Sequence, residues 1–392
     1  MSRLICSAFV ALVSLSGWAQ WTLRAPLPDG PRANAVSFVL NDLGYVAGGT
    51  HAELGDLLAT VWAYDPSSDT WSAKAPLPNG GMSRSVGFSL NGKGYIACGS
   101  GDQAEVWRYD PQADTWTPMA GFPGGQRSGA VAFVIGSTAY ITSGDSAGTF
   151  MTDLWAYDAN DDTWEQRTGY SPDFGTREAV GFSLSGKGYV TTGYSAGAWL
   201  HCYDPGTDSW SFKASFGGGG RQLAATFVSN GLAYVGSGCN NNWNELFWSW
   251  WSYDPVADEW TIRSDGFSLA KSGTVGFAIG NKGYVCGGDA LTSSAGVELW
   301  EFDTTAPIGV EESRVPAHTL TARFDAALHR VMITSSVPDR VRLMDATGAL
   351  LSVHRIPQGV SALETRPLMS GLYLIQSESP GCSGAIRLVV AP

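Results

Sequence analysis

Histidine, cysteine and charge are all scarce in this sequence, and each shortage closes off a class of function. Of 392 residues, five are histidines, six are cysteines, and 15% are charged. Between residues 20 and 309 the only histidines are His51 and His201. No pair of ligating residues recurs there at the close spacings of a transition-metal site, so neither metal nor cofactor is expected. With Cys6 set aside, Cys98, Cys202, Cys239, Cys286 and Cys382 remain. An odd, scattered set is no disulfide framework. Oxidation outside a cell would join Cys202 with Cys239, but the scatter favours small inert core residues.

Long apolar runs and helical periodicity are missing too, so very little helix is expected. The one apolar run, Leu4 to Ser16, is too short to span a bilayer stably. It follows Arg3 and leads to small Gly17 and Ala19, the pattern of an export signal over residues 1–19. The mature chain then starts near Gln20 and carries no transmembrane segment. Net charge is −12, and the segment 20–309 holds 15 basic against 29 acidic residues. Such an acidic body repels nucleic-acid phosphates and anionic headgroups; no nucleic acid partner is expected.

Glycine (49) and tryptophan (16) are plentiful, and they fall in a repeat. "WAYDPSSDTW" at 62 returns as "WRYDPQADTW" at 107, "WAYDANDDTW" at 155, "HCYDPGTDSW" at 201 and "WSYDPVADEW" at 251. A sixth copy, "WEFD" at 300, stops before its second tryptophan. A second phrase runs from "GYVAGG" at 44 to "GYVCGG" at 283, its tyrosines (Tyr45, Tyr95, Tyr140, Tyr189, Tyr234, Tyr284) 45 to 50 residues apart. Alternating runs such as "AVSFVL" precede each. Four short strands per unit at this period predict a β-propeller.

These units resemble kelch repeats, which carry a glycine pair ending the second strand, then an aromatic–Asp pair and a tryptophan. The resemblance covers residues 21–303 and implies an all-β, six-bladed kelch-type propeller over 20–303. Four glycine pairs have lost their first member (Cys98, Ser143, Thr192, Ser237), and His201 replaces one tryptophan. Asp65 and its copies suit Asx turns after the third strand. The sixth unit lacks a fourth strand, whereas "WTLRAPLP" at 21 is a fourth strand without a blade. The N-terminal strand should therefore pair onto the blade ending at Asp303, with Trp21 as the missing tryptophan, which removes an open edge.

Residues 304–318 read as a linker, polar and proline-punctuated. Residues 319–392 carry short alternating strands and the hairpin signal "DATGAL", so a small C-terminal β-sandwich is expected. "VRLMDATGALL", "SGLYLIQ" and the closing "AIRLVV" resemble the C-terminal sorting domain of the type IX secretion system. That resemblance implies passage through the periplasm and outer membrane of a Bacteroidetes-type cell, the type IX machinery as partner, and a secreted or cell-surface product.

Catalytic signals are weak. "GDSAG" at 144 and "GYSAG" at 193 fit a nucleophile elbow, but both fall at one repeat position after a strand and read as loop copies. Six cations precede the innermost strands: Arg32, Arg84, Arg127, Arg177, Arg221 and Lys271. Their connection shares a face with the loops joining second to third strands, among them "YSAGAWL" with Trp199 and "CNNNWNELFWSW" with Trp243, Phe247, Trp248 and Trp250. Aromatic faces with amides and arginines suit a glycan; structural roles for the arginines are the competing reading. The expectation is an exported, non-catalytic module binding glycan or an extracellular protein. The alternative implied by the kelch resemblance is a sialic-acid mutarotase-like or other channel-based carbohydrate enzyme, with Arg177 and Glu178 as weak catalytic candidates. Alternation along the strand sets those two on opposite faces.

Overall fold

The computed structural model describes residues 21–305, apart from 52, 79, 101–103, 171–174, 265–269 and 290–295, together with seven strands between 320 and 390. The expected export signal and residues 306–318 of the expected linker lie outside the described residues. Two compact units result, Trp18–Pro307 and one holding Ile308–Pro392.

The first unit is a propeller of six four-stranded antiparallel sheets. Its first blade runs Val36–Leu40, Leu43–Ala47, Val61–Asp65 and Thr70–Lys74, from the axis outward. The innermost strand alternates buried Val36, Phe38 and Leu40 with half-buried Ser37 and Val39. The buried set packs between blades and the small half-buried set faces the axis, the period-2 pattern of a strand with two different faces. Phe38 stacks on Tyr45 at 5.0 Å, and Tyr45 meets Tyr109 of the second blade at 5.5 Å.

One three-residue latch explains the repeated phrase. Asp69 accepts hydrogen bonds from the Tyr64 hydroxyl in its own blade and from the amide of Ala25, just past the preceding blade's outer strand. Trp71 then donates its indole N–H to the carbonyl of that same Ala25, at 2.8 Å. The arrangement recurs with Asp114 and Trp116 on Ala75, Asp162 and Trp164 on Ala120, Asp208 and Trp210 on Thr168, and Asp258 and Trp260 on Ala214. Tyrosine, aspartate and tryptophan recur together because the aspartate accepts from the tyrosine, and aspartate and tryptophan between them satisfy the amide and carbonyl of one residue in the preceding blade. The Asx turns are present as well: Asp65, Asp110, Asp158, Asp204, Asp254 and Asp303 each accept an amide two residues on.

The ring shuts as the sequence predicts. Trp21–Arg24 is the outer strand of the sixth blade, antiparallel to Leu299–Asp303, with Trp21 opposite Phe302. The Trp21 ring lies edge-on to Trp250 at 5.3 Å and 4.8 Å from Phe302. Arg24 holds Glu301 through Nε and Nη2, both at 3.0 Å. Burial alone would push the Glu301 carboxyl up, but bonds from Arg24 and the Tyr284 hydroxyl outweigh it and hold it below its ordinary value.

The substituted glycine pairs have a simple account. Cys98, Ser143, Thr192 and Ser237 all keep the left-handed conformation (φ 58 to 66°), which a small side chain tolerates at modest cost. The second glycine has no such latitude. At Gly144, φ 94°, an added Cβ would sit 3.0 Å from the Ser128 carbonyl oxygen.

The other unit comprises two antiparallel sheets. One orders Leu320–Asp325, Arg330–Ser335 and Gly359–Leu363; the other orders Leu350–Ile356, Asp339–Asp345, Gly371–Ser377 and Ala385–Val390. Asp339–Asp345 pairs with Leu350–Ile356, the hairpin expected around "DATGAL". No helix occurs among the described residues.

Candidate functional site

Each innermost strand is entered through one residue in the left-handed conformation: Asn34, Arg84, Gly129, Glu178, Leu223 and Gly273, with φ between 53 and 66°. The amide of each donates to the carbonyl of its counterpart in the preceding blade, and the Asn34 amide donates to Gly273, so six bonds of 2.8–3.0 Å close a circle. This circle frames the channel mouth on the face that carries the loops joining second to third strands. Beneath it the channel encloses about 490 Å³. Small residues such as Ser37, Gly87, Ala132, Gly181, Thr226 and Gly276 form its waist, and no charged side chain lines it among the described residues.

Charge is confined to the mouth. Glu178, its side chain 5% exposed, faces Arg84 Nε at 3.3 Å across the third blade. Gly129 makes that reach possible, because a Cβ there would lie 3.0 Å from the Glu178 carboxyl carbon. Burial raises the Glu178 carboxyl above its ordinary value, Arg84 and Arg177 pull it back, and Asp145 adds to the rise. Arg177 turns away from the channel. It lies over Tyr194 at 5.0 Å and Phe150 at 5.6 Å, with Asp145 at 3.8 Å. Strand alternation thus separates Arg177 from Glu178, and the cation beside this acid is Arg84.

The six cations do not form one ring. Arg32, Arg127, Arg221 and Lys271 share a position two residues before the circle, where each is at most 3% exposed. Arg32 donates to the Gly48 carbonyl and pairs with Asp29; Arg127 donates to the Ser143 carbonyl and pairs with Asp153. Arg221 donates to the Ser237 and Gly218 carbonyls, and Lys271 pairs with Glu298. Met82 and Thr176 occupy this place in the second and fourth blades. Arg84 belongs to the circle itself, and Arg177 lies one residue before it. The sequence holds the signal: the four buried cations precede their "V" or "A" strand residue by four positions, whereas Arg84 and Arg177 do so by two and three.

The loop aromatics divide as well. Trp250 is 1% exposed and packs on Phe227 and Trp21, and Phe247 covers the Arg221 guanidinium at 4.2 Å; both are structural. Trp199, Trp243 and Trp248 are 46%, 42% and 54% exposed, and the same rim exposes Leu54 and Leu57. Behind Trp199, His201 sits where most blades have tryptophan, and burial pushes its imidazole down to about 4. Asn34 and Thr274, which also line the mouth, carried no signal, since neither belongs to a motif. No cluster of metal-ligating side chains exists among the described residues.

Residues 31–78, which hold the whole first blade, match the kelch motif. The first blade carries a kelch motif, and the fold is a six-bladed propeller of the kelch type. A solved structure, that of YjhT, is similar to this kelch propeller at a TM-score of 0.58 and 18% identity, over 70% of this chain and 95% of that one. In all, 681 solved chains match, so the likeness speaks for architecture and leaves activity open. No curated protein matches the chain.

Proposed function

We propose that this kelch propeller is an exported, non-catalytic binding module that holds a glycan on the face bearing its variable loops. The carrying observation is the placement of exposed tryptophans. Trp199, Trp243 and Trp248 stand exposed on loops joining second to third strands, the loops on the same face as the mouth, with Trp199 edge-on to Phe212 of its blade's outermost strand. Exposed indoles lose little rotamer freedom when a sugar stacks on them, and few polar groups are then needed to orient it. An extracellular protein is the other ligand class for this rim. A glycan array probed with wild type and with the Trp243→Ala/Trp248→Ala variant tests the reading; unchanged array binding in the double variant would remove it. Export by the type IX route is part of the proposal and rests on the C-terminal strand phrases. Mass spectrometry of mature protein from the medium checks both cleaved ends.

One observation favours a second reading, a sialic-acid mutarotase-like carbohydrate enzyme. A buried acid with a raised pKa beside an arginine at a cavity is the kind of group that moves protons, and Glu178 with Arg84 fits that description. Proton exchange on free sialic acid by wild type and Glu178→Gln decides it: equal rates eliminate Glu178 as the base.

A further inference from the structure

The mouth of the channel is a cavity of about 110 Å³ bounded by the circle residues and by Ala35, Ser85, Ala130, Ala179, Ala224 and Thr274. Three polar atoms on its wall are buried without a hydrogen-bond partner: Glu178 Oε1, Asn34 Oδ1 and Thr274 Oγ1. Glu178 is 7% exposed, and although Arg84 Nε stands 3.3 Å from its Oε1, that oxygen accepts no hydrogen bond. Asn34 and Glu178 belong to the first and fourth of six blades, so they face each other across the mouth. Each leans over a glycine of the preceding blade: Asn34 Oδ1 lies 2.5 Å from where a Cβ of Gly273 would be, and Glu178 lies over Gly129. Buried acceptors left without donors cost free energy, and the circle cannot supply donors, because its six amides already bond one another.

The chemistry of a group that would satisfy these atoms emerges by elimination. An anion would meet the Glu178 carboxylate and the Asn34 carbonyl oxygen, both acceptors. A cation would meet Arg84, whose guanidinium already stands beside the same carboxyl. A neutral hydroxyl suits both sides, since it donates to Glu178 Oε1 or Asn34 Oδ1 and accepts from Arg84 or Thr274. The cavity, about 110 Å³, has room for more than one water and so for a hydroxyl-bearing edge of a sugar. We infer that the mouth is a subsite for the terminal unit of a neutral glycan, with Glu178, Asn34 and Arg84 binding its hydroxyl groups and the rim tryptophans holding the adjoining sugar units. This rests on the glycan-binding reading and excludes acidic sugars from this position.

Titration calorimetry on the mature chain tests it with matched sugars: a methyl hexoside, the corresponding uronate and the corresponding aminosugar. The neutral hexoside should bind at least about tenfold tighter than either charged one, as expected when a charge must be buried beside a like charge or an unmatched acceptor. Asn34→Gly keeps the left-handed backbone and removes Oδ1; it should weaken the hexoside roughly fivefold. Should Asn34→Gly melt early, Thr274→Val takes its place with a weakening of about twofold or more. Glu178→Gln should narrow the gap between hexoside and uronate, a change that a purely structural glutamate would not produce. Equal binding of uronate and hexoside by wild type overturns the inference. So does an Asn34→Gly or Thr274→Val protein that folds and binds as wild type. If glycan binding survives these substitutions but is lost in Trp243→Ala/Trp248→Ala, the subsite falls and the binding module stands. No glycan binding by wild type removes both.

Discussion

Replacing Trp21 by alanine tests whether the strand Trp21–Arg24 locks the circle. In the structure the Trp21 indole is half-buried, lies edge-on to Trp250 at 5.3 Å and touches Phe302 at 4.8 Å. A fully buried Trp→Ala change costs about 3–5 kcal/mol, and partial exposure lowers this to about 2–4 kcal/mol, including roughly 0.5–1.5 kcal/mol for each aromatic contact. In a unit of this size about 1 kcal/mol moves the melting temperature by roughly 2–4 °C, so calorimetry should show a fall of about 4–16 °C. The strand pairing with Leu299–Asp303 remains in the variant, which isolates the side chain from the backbone. Trp248→Ala, which removes an indole 54% exposed, serves as the control and should melt within about 1–2 °C of wild type, the effect of a surface substitution. A Trp21→Ala protein that melts with the control would refute the reasoning, because the closing strand would then contribute no packing at the seam.

Three other substitutions probe the seams and the buried charges. Tyr109→Phe removes the hydroxyl that Asp114 accepts at 2.6 Å and should cost about 0.5–1.5 kcal/mol in urea unfolding, whereas Asp114→Ala also strands the Ala75 amide and should cost about 2–3 kcal/mol. Arg127→Met breaks a buried pair with Asp153 and should cost about 3–5 kcal/mol, while Arg84→Met, which removes a third-exposed cation but leaves the buried Glu178 carboxyl without it, should cost about 1–3 kcal/mol by the same urea assay. His201 is held neutral by burial, with its pKa pushed down to about 4; the unfolded chain takes up that proton near pH 6.5, so stability is full above that pH and declines as pH falls toward 4. His201→Trp should flatten melting temperature against pH across that window, and an NMR titration of His201 with a midpoint near 6.5 would contradict the assignment.

Much of the fold could be read from the chain because its repeat is made of chemically specific parts. Tyrosine, aspartate and tryptophan recur at fixed spacing since five blades satisfy the same polar groups at the same seam. The orphan "WTLR" and the truncated "WEFD" are complementary halves of one such unit, so the closure was legible too. The mouth was not. Asn34, Arg84, Gly129, Glu178, Leu223 and Gly273 share a backbone angle and no side-chain chemistry, which no residue pattern reveals. The cations misled for a related reason: the approach to the innermost strand varies in where its charge falls, and grouping by charge merged a buried structural position with two half-buried neighbours. Trp250 sits with the loop tryptophans in sequence, but it starts a strand and points into the seam.

The circle of six amide–carbonyl bonds has a consequence for how such a module changes. A backbone whose donors and acceptors are all spent on one another makes no demand on what hangs from it, as the tolerance for asparagine, arginine, glutamate and leucine at equivalent places attests. Four positions around one opening can therefore be rewritten singly, whereas Gly129 and Gly273 are closed to a side chain by Glu178 and Asn34 of the next blade. New ligand preferences are accessible here by point substitution, at little risk to folding.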